Sequence, residues 1–143
     1  MNNSCGKYTK FDLCLEMLET VDVIRNYNPA DAEIFAQMLK PYRRIFLTGE
    51  GSSRIFPAQN LISSHLKYPS EVTFLSEGAL QACEYDLSET AVVGLSNSGR
   101  TKELIQLFQL LSAKNHSGLF TITSSQTKTP LTTLSTATAV LQC

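Results

Sequence analysis

Hydroxyl side chains gather in one short turn, which follows the apolar run Ala91–Leu95 and reads Ser96-Asn97-Ser98-Gly99-Arg100-Thr101. The pattern predicts a buried strand, then this turn, then a helix from Thr101 to about Lys114. A helix start leaves backbone N–H groups unpaired, and the helix dipole favours an anion there. Gly99 allows the backbone to bend without a Cβ penalty. The turn is therefore a candidate phosphate site, and its side-chain hydrogen-bonding groups are Ser96, Asn97, Ser98 and Thr101.

A second turn of similar character follows another apolar run. The strand predicted over Arg44–Thr48 leads into Gly49-Glu50-Gly51-Ser52-Ser53, and a helix is predicted from Ser53 to about Lys67 with Pro57 in its first turn. Because the carboxyl ends of parallel strands meet at one edge of a sheet, we expect both serine turns to lie at that edge.

The rest of the chain supplies the elements that must position these turns. Two helices are predicted first, over Phe11–Tyr27 and Pro29–Leu39, the second capped by Asn28. Further strands are predicted over Glu71–Leu75, Leu119–Thr123 and Thr138–Leu141, with a short helix and a loop within residues 76–89 and a helical turn over Leu131–Leu134. Strands that alternate with helices over short connections indicate a doubly wound α/β fold, with helices on both faces of a parallel sheet.

The two turns together resemble the paired signatures of the SIS (sugar isomerase) domain family: Gly49-Glu50-Gly51-Ser52-Ser53 and the Ser-x-Ser-Gly-x-Thr turn from Ser96 to Thr101. The resemblance covers roughly residues 42–143, with residues 1–41 as N-terminal helices that pack on the domain. It implies a three-layer, flavodoxin-like sandwich around a five-stranded parallel sheet. It also implies a phosphosugar ligand, such as a hexose or aminosugar phosphate, and no metal or other cofactor.

Carried over position by position, the family's contacts fall on Ser52 and Ser53 in the first turn and on Ser96, Asn97, Ser98 and Thr101 in the second. The sequence departs from the family pattern at Arg100, where sugar isomerases often have Glu; this arginine either helps to neutralise the phosphate or points to solvent. The family usually continues beyond the fifth strand with a Glu-containing segment and a long helix, so we expect the C-terminal segment to be missing here.

Composition excludes several other classes of protein. The 143 residues carry a formal net charge of −1, which provides no positive field for nucleic acid. No apolar run is long enough to cross a membrane, and Met1–Lys10 is polar and unlike a secretory signal. The cysteines Cys5, Cys14, Cys83 and Cys143 form no C-x-x-C pair and no zinc spacing, so they are interpreted as reduced thiols of a cytoplasmic protein.

Isomerisation of a sugar phosphate needs acid–base groups, for which Glu and His are the usual residues. Glu50 and Glu77 lie in turns near the predicted sheet edge, and Glu77 is the better, though weak, candidate for a base. Its alternative role is a loop hydrogen bond or a helix-start charge. His65 and His116 are interpreted as surface or helix-end residues. The catalytic residue therefore stays unassigned, and whether this chain is an enzyme stays open.

Two functions from different classes follow from the resemblance. The chain is part of a sugar-phosphate isomerase or aminosugar-phosphate deaminase, or it is a non-catalytic phosphosugar-sensing module; in either case a homodimer is implied, because SIS domains pair across their helices. A nucleotide-binding domain is disfavoured, since Gly49-x-Gly51 lacks the third glycine of the dinucleotide motif and no Gly-Lys-Ser/Thr loop is present.

Overall fold

The computed structural model describes residues 11–141, in which helices and strands alternate after two initial helices. The helices are α1 (Asp12–Asn26), α2 (Pro29–Leu39), α3 (Ser52–Lys67), α4 (Ala79–Ala82), α5 (Lys102–Ala113) and α6 (Pro130–Leu134). The strands are β1 (Arg44–Gly49), β2 (Thr73–Glu77), β3 (Ala91–Leu95), β4 (Leu119–Thr123) and β5 (Ala137–Val140).

The strands form one parallel sheet in the order β2-β1-β3-β4-β5. After β1 the chain moves outward to β2, then returns across β1 to β3, and from there continues in the opposite direction. The strand order therefore reverses between β1 and β3, where Thr48 pairs with Gly94 and Gly49 with Leu95. A crevice at the carboxyl ends of two such strands is the usual binding position in open α/β sheets.

Helices cover both faces of the sheet, which gives two separate hydrophobic clusters. Residues from α4, α5 and α6 pack on one face, around Phe46, Val92 and Phe108. On the other face Phe35 of α2 and Ala58 of α3 pack against Leu47, Val93 and Phe120. The central strand β3 is buried along its whole length, as its apolar sequence predicts for a strand covered on both faces.

The predicted fold class is confirmed, with differences at a few element ends. Strand β2 runs from Thr73 to Glu77, two residues later than predicted at both ends, because its pairing with Arg44–Thr48 fixes the register. Helix α3 begins at Ser52, so Pro57 lies in its second turn and not in its first. There the proline removes the N–H that would bond the Ser53 carbonyl, which costs more than a proline in the first turn of a helix.

In the part of the chain that the structure describes, no helix has the length and hydropathy needed to cross a membrane. Cys14 and Cys83 are free thiols. Met1–Lys10, Cys5 and Cys143 lie outside the described residues.

Candidate functional site

The two serine turns meet at the point where the strand order reverses. Gly49, the last residue of β1, lies against the end of β3 so closely that a Cβ on it would be 2.5 Å from the Leu95 carbonyl oxygen. Only glycine allows this approach without a backbone shift. The turn that begins at Gly49 and the loop that begins at Ser96 therefore occupy adjacent positions at one edge of the sheet.

Residues 96–101, which the sequence predicts to hold a phosphate and which we call the phosphate loop for that reason, form a loop closed by its own side chains. The hydroxyl of Ser96 bonds the hydroxyl of Thr101 at 2.8 Å and accepts the Gly99 N–H at 3.1 Å. Ser96 is only 3% exposed, so its hydroxyl joins the two ends of the loop on the buried side of the loop. Asn97 and Ser98 are exposed, and Ser98 accepts the Arg100 N–H.

Helix α6 supports the phosphate loop from one side. Gly99 adopts φ +63°, a conformation that L side chains rarely adopt, and a Cβ there would overlap the Thr129 side chain. Thr129 is buried and caps α6 through a reciprocal pair of hydrogen bonds with Thr132. The Leu131 N–H then donates to the Gly99 carbonyl at 3.4 Å. The loop is thereby fixed against the start of a capped helix.

The loop after β4 supports the phosphate loop from the other side. The Asn97 carbonyl accepts from the Ser124 N–H at 3.1 Å, from the Thr123 hydroxyl at 2.9 Å and from the Ser124 hydroxyl at 3.0 Å. The Ser124 hydroxyl also contacts the Asn97 side-chain oxygen. These bonds hold the Asn97 backbone in place while its carboxamide stays at the surface.

The two helices that start beside the reversal of strand order, α3 and α5, have no side-chain cap. The N-cap residues are Gly51 for α3 and Thr101 for α5, and neither makes a side-chain capping hydrogen bond. By contrast, α2 is capped by Asn28 and α6 by Thr129. Within the described range, Lys102 and Glu103 of α5 and Ser52 and Ser53 of α3 have backbone N–H groups that meet no acceptor. Such groups can serve an anion held between the two helix starts.

Ser52 and Ser53, the ligand contacts that the sequence predicts in the first turn, also lie at this edge. Ser52 is exposed and Ser53 half-buried, both in the first turn of α3, and neither hydroxyl is used by a hydrogen bond to a described residue. Arg100 is exposed at the outer side of the phosphate loop.

Glu50 and Glu77 both converge on the short helix α4. One Glu50 oxygen, Oε1, accepts the Ala79 N–H at 3.1 Å, and Glu77 Oε1 accepts the Gly78 N–H at 3.0 Å. Glu50 thus bridges the β1 turn to a helix that follows β2. Sequence reasoning missed this bridge, because nothing in local spacing joins residues 29 positions apart.

Arg54 is a further residue of this edge that sequence reasoning did not select. It lies in the first turn of α3, directly after Ser52 and Ser53, and its side chain is half-buried. Its Nη1 donates to the Ser76 hydroxyl at 3.3 Å near the end of β2, and its Nε is buried without a partner among the described residues. An arginine after the serine pair was visible in the sequence, but only the fold places it beside β2.

The histidines lie away from the site. His65 is near the end of α3, where its ring meets Phe74 edge-on at 5.3 Å between centroids. His116 follows α5 and bonds the Leu87 carbonyl and the Gly118 N–H through its two ring nitrogens. Both therefore belong to the edge formed by the amino ends of the strands, so neither reaches the serine turns.

The fold and the site together define a doubly wound α/β domain with a serine-lined crevice at its strand-order reversal. No protein-family model matches the sequence, and no curated protein matches it. Among solved structures, the protein c3406 of E. coli CFT073, in complex with arabinose-5-phosphate, is similar with a TM-score of 0.66 and 17% identity over 99% of this chain and 75% of its own.

Two further solved structures have the same architecture. The NanR protein of Vibrio vulnificus, complexed with ManNAc-6P, matches with a TM-score of 0.63 and 17% identity over 93% of this chain and 52% of its own. The C-terminal domain of glucosamine-fructose-6-phosphate aminotransferase from Francisella tularensis matches with a TM-score of 0.59 and 16% identity over 74% and 30%. At these identities the likeness establishes the fold, a doubly wound α/β sandwich around a five-stranded parallel sheet, which is the architecture that the resemblance to SIS domains implies. The chain spans about half of the NanR chain and about a third of the aminotransferase domain.

Proposed function

We propose that this chain is a phosphosugar-binding domain in which the phosphate lies between the starts of α3 and α5. The observation that carries the proposal is the pair of uncapped helix starts that converge on one serine-rich edge. Their unpaired N–H groups supply donors to an anion without a net positive surface. Two structural neighbours are complexed with ManNAc-6P and arabinose-5-phosphate, which supports the same class of ligand.

The proposed contacts divide by role. Ser52, Ser53, Ser98 and Asn97 offer side-chain donors at the surface of the crevice, and Thr101 is half-buried at the end of the loop, with its hydroxyl bonded to Ser96. Ser96 holds the loop closed, since its hydroxyl is already hydrogen-bonded to Thr101 and Gly99. The ligand class is a hexose or aminosugar phosphate, bound without a metal or other cofactor.

The proposal also covers the oligomeric state, the cellular location and the type of activity. We place it as a homodimer in the cytoplasm, and as part of an isomerase or deaminase, with a phosphosugar sensor as the alternative. Glu77 is the candidate base. Its support is position, because it ends β2 beside the crevice and keeps its second carboxylate oxygen free of any described hydrogen-bond partner.

Ligand-dependent thermal shift tests the binding proposal directly. Purified protein is melted with hexose 6-phosphates, amino-sugar 6-phosphates and the matching unphosphorylated sugars. We expect a concentration-dependent rise in Tm with one or more phosphosugars and none with the sugars alone, since a ligand that binds only the folded state stabilises it. If no phosphosugar raises Tm, the proposal is wrong.

A turnover assay then separates the two classes of function. Isomerisation and ammonia release are followed with each phosphosugar that binds, for the natural sequence and for Glu77→Gln. Turnover that Glu77→Gln abolishes, with binding retained, supports the enzyme and the role of Glu77. Binding without turnover of any ligand favours the sensing module.

A further inference from the structure

We propose that Arg54 binds a carboxylate at the end of the phosphosugar opposite its phosphate, so that the preferred ligand is a phosphorylated sugar acid. This inference rests on the proposed function, because it uses the phosphate loop to fix the other end of the ligand. It goes further by naming a second acidic group and the residue that recognises it.

Arg54 is a half-buried cation that forms no ion pair with any residue the structure describes. Among residues 11–141 the carboxylate ion pairs are Arg25–Asp22 and Arg43–Glu71, and neither involves Arg54. Its guanidinium bonds one neutral hydroxyl, that of Ser76, and Nε is buried with no partner in the described part of the chain. A partly desolvated guanidinium has five donors, and leaving them unmatched is costly unless an acceptor completes the set.

The free end of the guanidinium is the part that a ligand can reach. Nη2 makes no hydrogen bond to a described residue, and it is not among the buried unpartnered atoms, so it remains accessible. Ser76 holds one end of the group through Nη1. A planar, pre-oriented guanidinium is suited to a carboxylate more than to a sugar hydroxyl.

Position separates this group from the phosphate. The phosphate loop follows β3, whereas Ser76 lies near the end of β2, and β1 stands between these two strands. Neighbouring strands are about 4.8 Å apart, so a phosphate between the ends of β1 and β3 is about 7 Å from the end of β2 across the edge. That separation exceeds a hydrogen-bond distance and lies within the length of an extended six-carbon sugar phosphate.

The nearby carboxylates do not compete for Arg54. Glu50 and Glu77 are directed to the start of α4, which packs on the α5 side of the sheet. Arg54 contacts β2 through Ser76, which faces the α3 side. The arginine is thus left for an external acid.

A matched pair of ligands tests the inference by titration calorimetry on the full chain. The probes are 6-phosphogluconate, which ends in a carboxylate, and glucitol 6-phosphate, which ends in a neutral alcohol at the same carbon. We expect the natural sequence to bind 6-phosphogluconate about tenfold more tightly, which is typical of one charge-assisted hydrogen bond. We expect Arg54→Gln to bind both probes alike, with its affinity for glucitol 6-phosphate within about twofold of the natural value.

Two further variants control for charge and folding. Lys67→Gln removes a positive charge from the exposed far end of the same helix and should keep the preference. Arg54→Lys keeps the charge but not the planar fork, so the preference should fall several-fold without disappearing; it also decides the outcome if Arg54→Gln does not fold.

The inference is overturned if the natural sequence binds the two probes equally, or if Arg54→Gln or Arg54→Lys keeps the full preference. Those results leave the phosphate proposal standing, since glucitol 6-phosphate still binds. Failure of the natural sequence to bind either probe overturns the inference, and it overturns the phosphate proposal only if no other phosphosugar raises Tm in the thermal-shift experiment.

Discussion

At the scale of single residues, the phosphate loop contains side chains with different tasks. Ser96 and Gly99 are buried and determine the shape of the loop, while Asn97 and Ser98 are exposed and available to a ligand. Substitutions should therefore separate stability from binding within this one loop.

Alanine substitutions at two glycines test how α6 constrains the loop. Gly99 and Gly51 both have positive φ, at +63° and +58°, but a Cβ meets Thr129 at Gly99 and nothing within 4 Å at Gly51. Gly51→Ala should cost about 1–3 kcal/mol for backbone strain alone, because its ψ of −142° at positive φ is a conformation essentially confined to glycine. Gly99→Ala should cost about 2 kcal/mol more, because Thr129 must move. Urea unfolding of both variants measures the difference in the free energy of unfolding. Equal losses would show that the Thr129 side chain moves aside at no cost.

Two serine substitutions test the division of roles. Ser96→Ala removes a buried hydroxyl that bonds Thr101 and Gly99, so it should lower the free energy of unfolding by about 1–2 kcal/mol. Ser98→Ala should change stability by less than about 0.5 kcal/mol, since the residue is exposed, but should weaken phosphosugar binding. Chemical unfolding and calorimetric titration of both variants check the pattern. If Ser98→Ala lowered stability and Ser96→Ala did not, Ser98 and not Ser96 would be the residue that determines the shape of the loop.

At the scale of elements, pattern and turn chemistry predicted most of what the structure contains. The apolar runs predicted β1, β3 and β4 almost residue for residue, and Asn28-Pro29 predicted the start of α2. The register of β2 could not be predicted, because it depends on pairing with β1. The Glu50 bridge to Ala79 and the Arg54 contact with Ser76 could not be predicted either, because each joins residues that are far apart in sequence and meet only in the folded sheet.

The prolines of two helices give a matched prediction about α3. Pro57 lies in the second turn of α3, where it removes the hydrogen bond to the Ser53 carbonyl, whereas Pro130 is the first residue of α6. Pro57→Ala should raise the free energy of unfolding by about 1–2 kcal/mol, because the restored bond outweighs the added freedom of the unfolded chain. Pro130→Ala should give no gain, since a first-turn proline loses no helical bond. Denaturant midpoints compare the two; a gain at both positions would point to a general proline effect.

At the scale of the whole molecule, the first two helices present apolar side chains to solvent. Ile24 of α1 is 71% exposed and Ile34 of α2 is 60% exposed. Further large apolar side chains of the same two helices are exposed as well, among them Met17, Val21 and Met38. Exposed apolar side chains in such number are typical of an interaction site, which supports the proposed homodimer.

Sedimentation analysis of two variants tests this association. The natural sequence should sediment as a dimer, and Ile24→Glu together with Ile34→Glu should shift it toward monomer, because buried carboxylates oppose the contact. Leu110→Glu, on the opposite face of the sheet and 37% exposed, should leave the dimer intact. A monomeric natural protein would contradict the dimer, and a dimer unaffected by the paired change would move the interface elsewhere.

The reversal of strand order has a consequence for how the domain assembles. The two halves of the crevice are far apart in sequence and meet only when β1 pairs with β3. Such non-local pairing forms slowly and late relative to local helices. A partly folded chain could form the second turn but could not present it beside the first. The proposed phosphosugar ligand would therefore select the fully assembled sheet, and at a concentration of about 100 times its Kd it would favour that state by about 2.7 kcal/mol. The proposed ligand would then raise the fraction of chains that are fully assembled, as well as occupy its site.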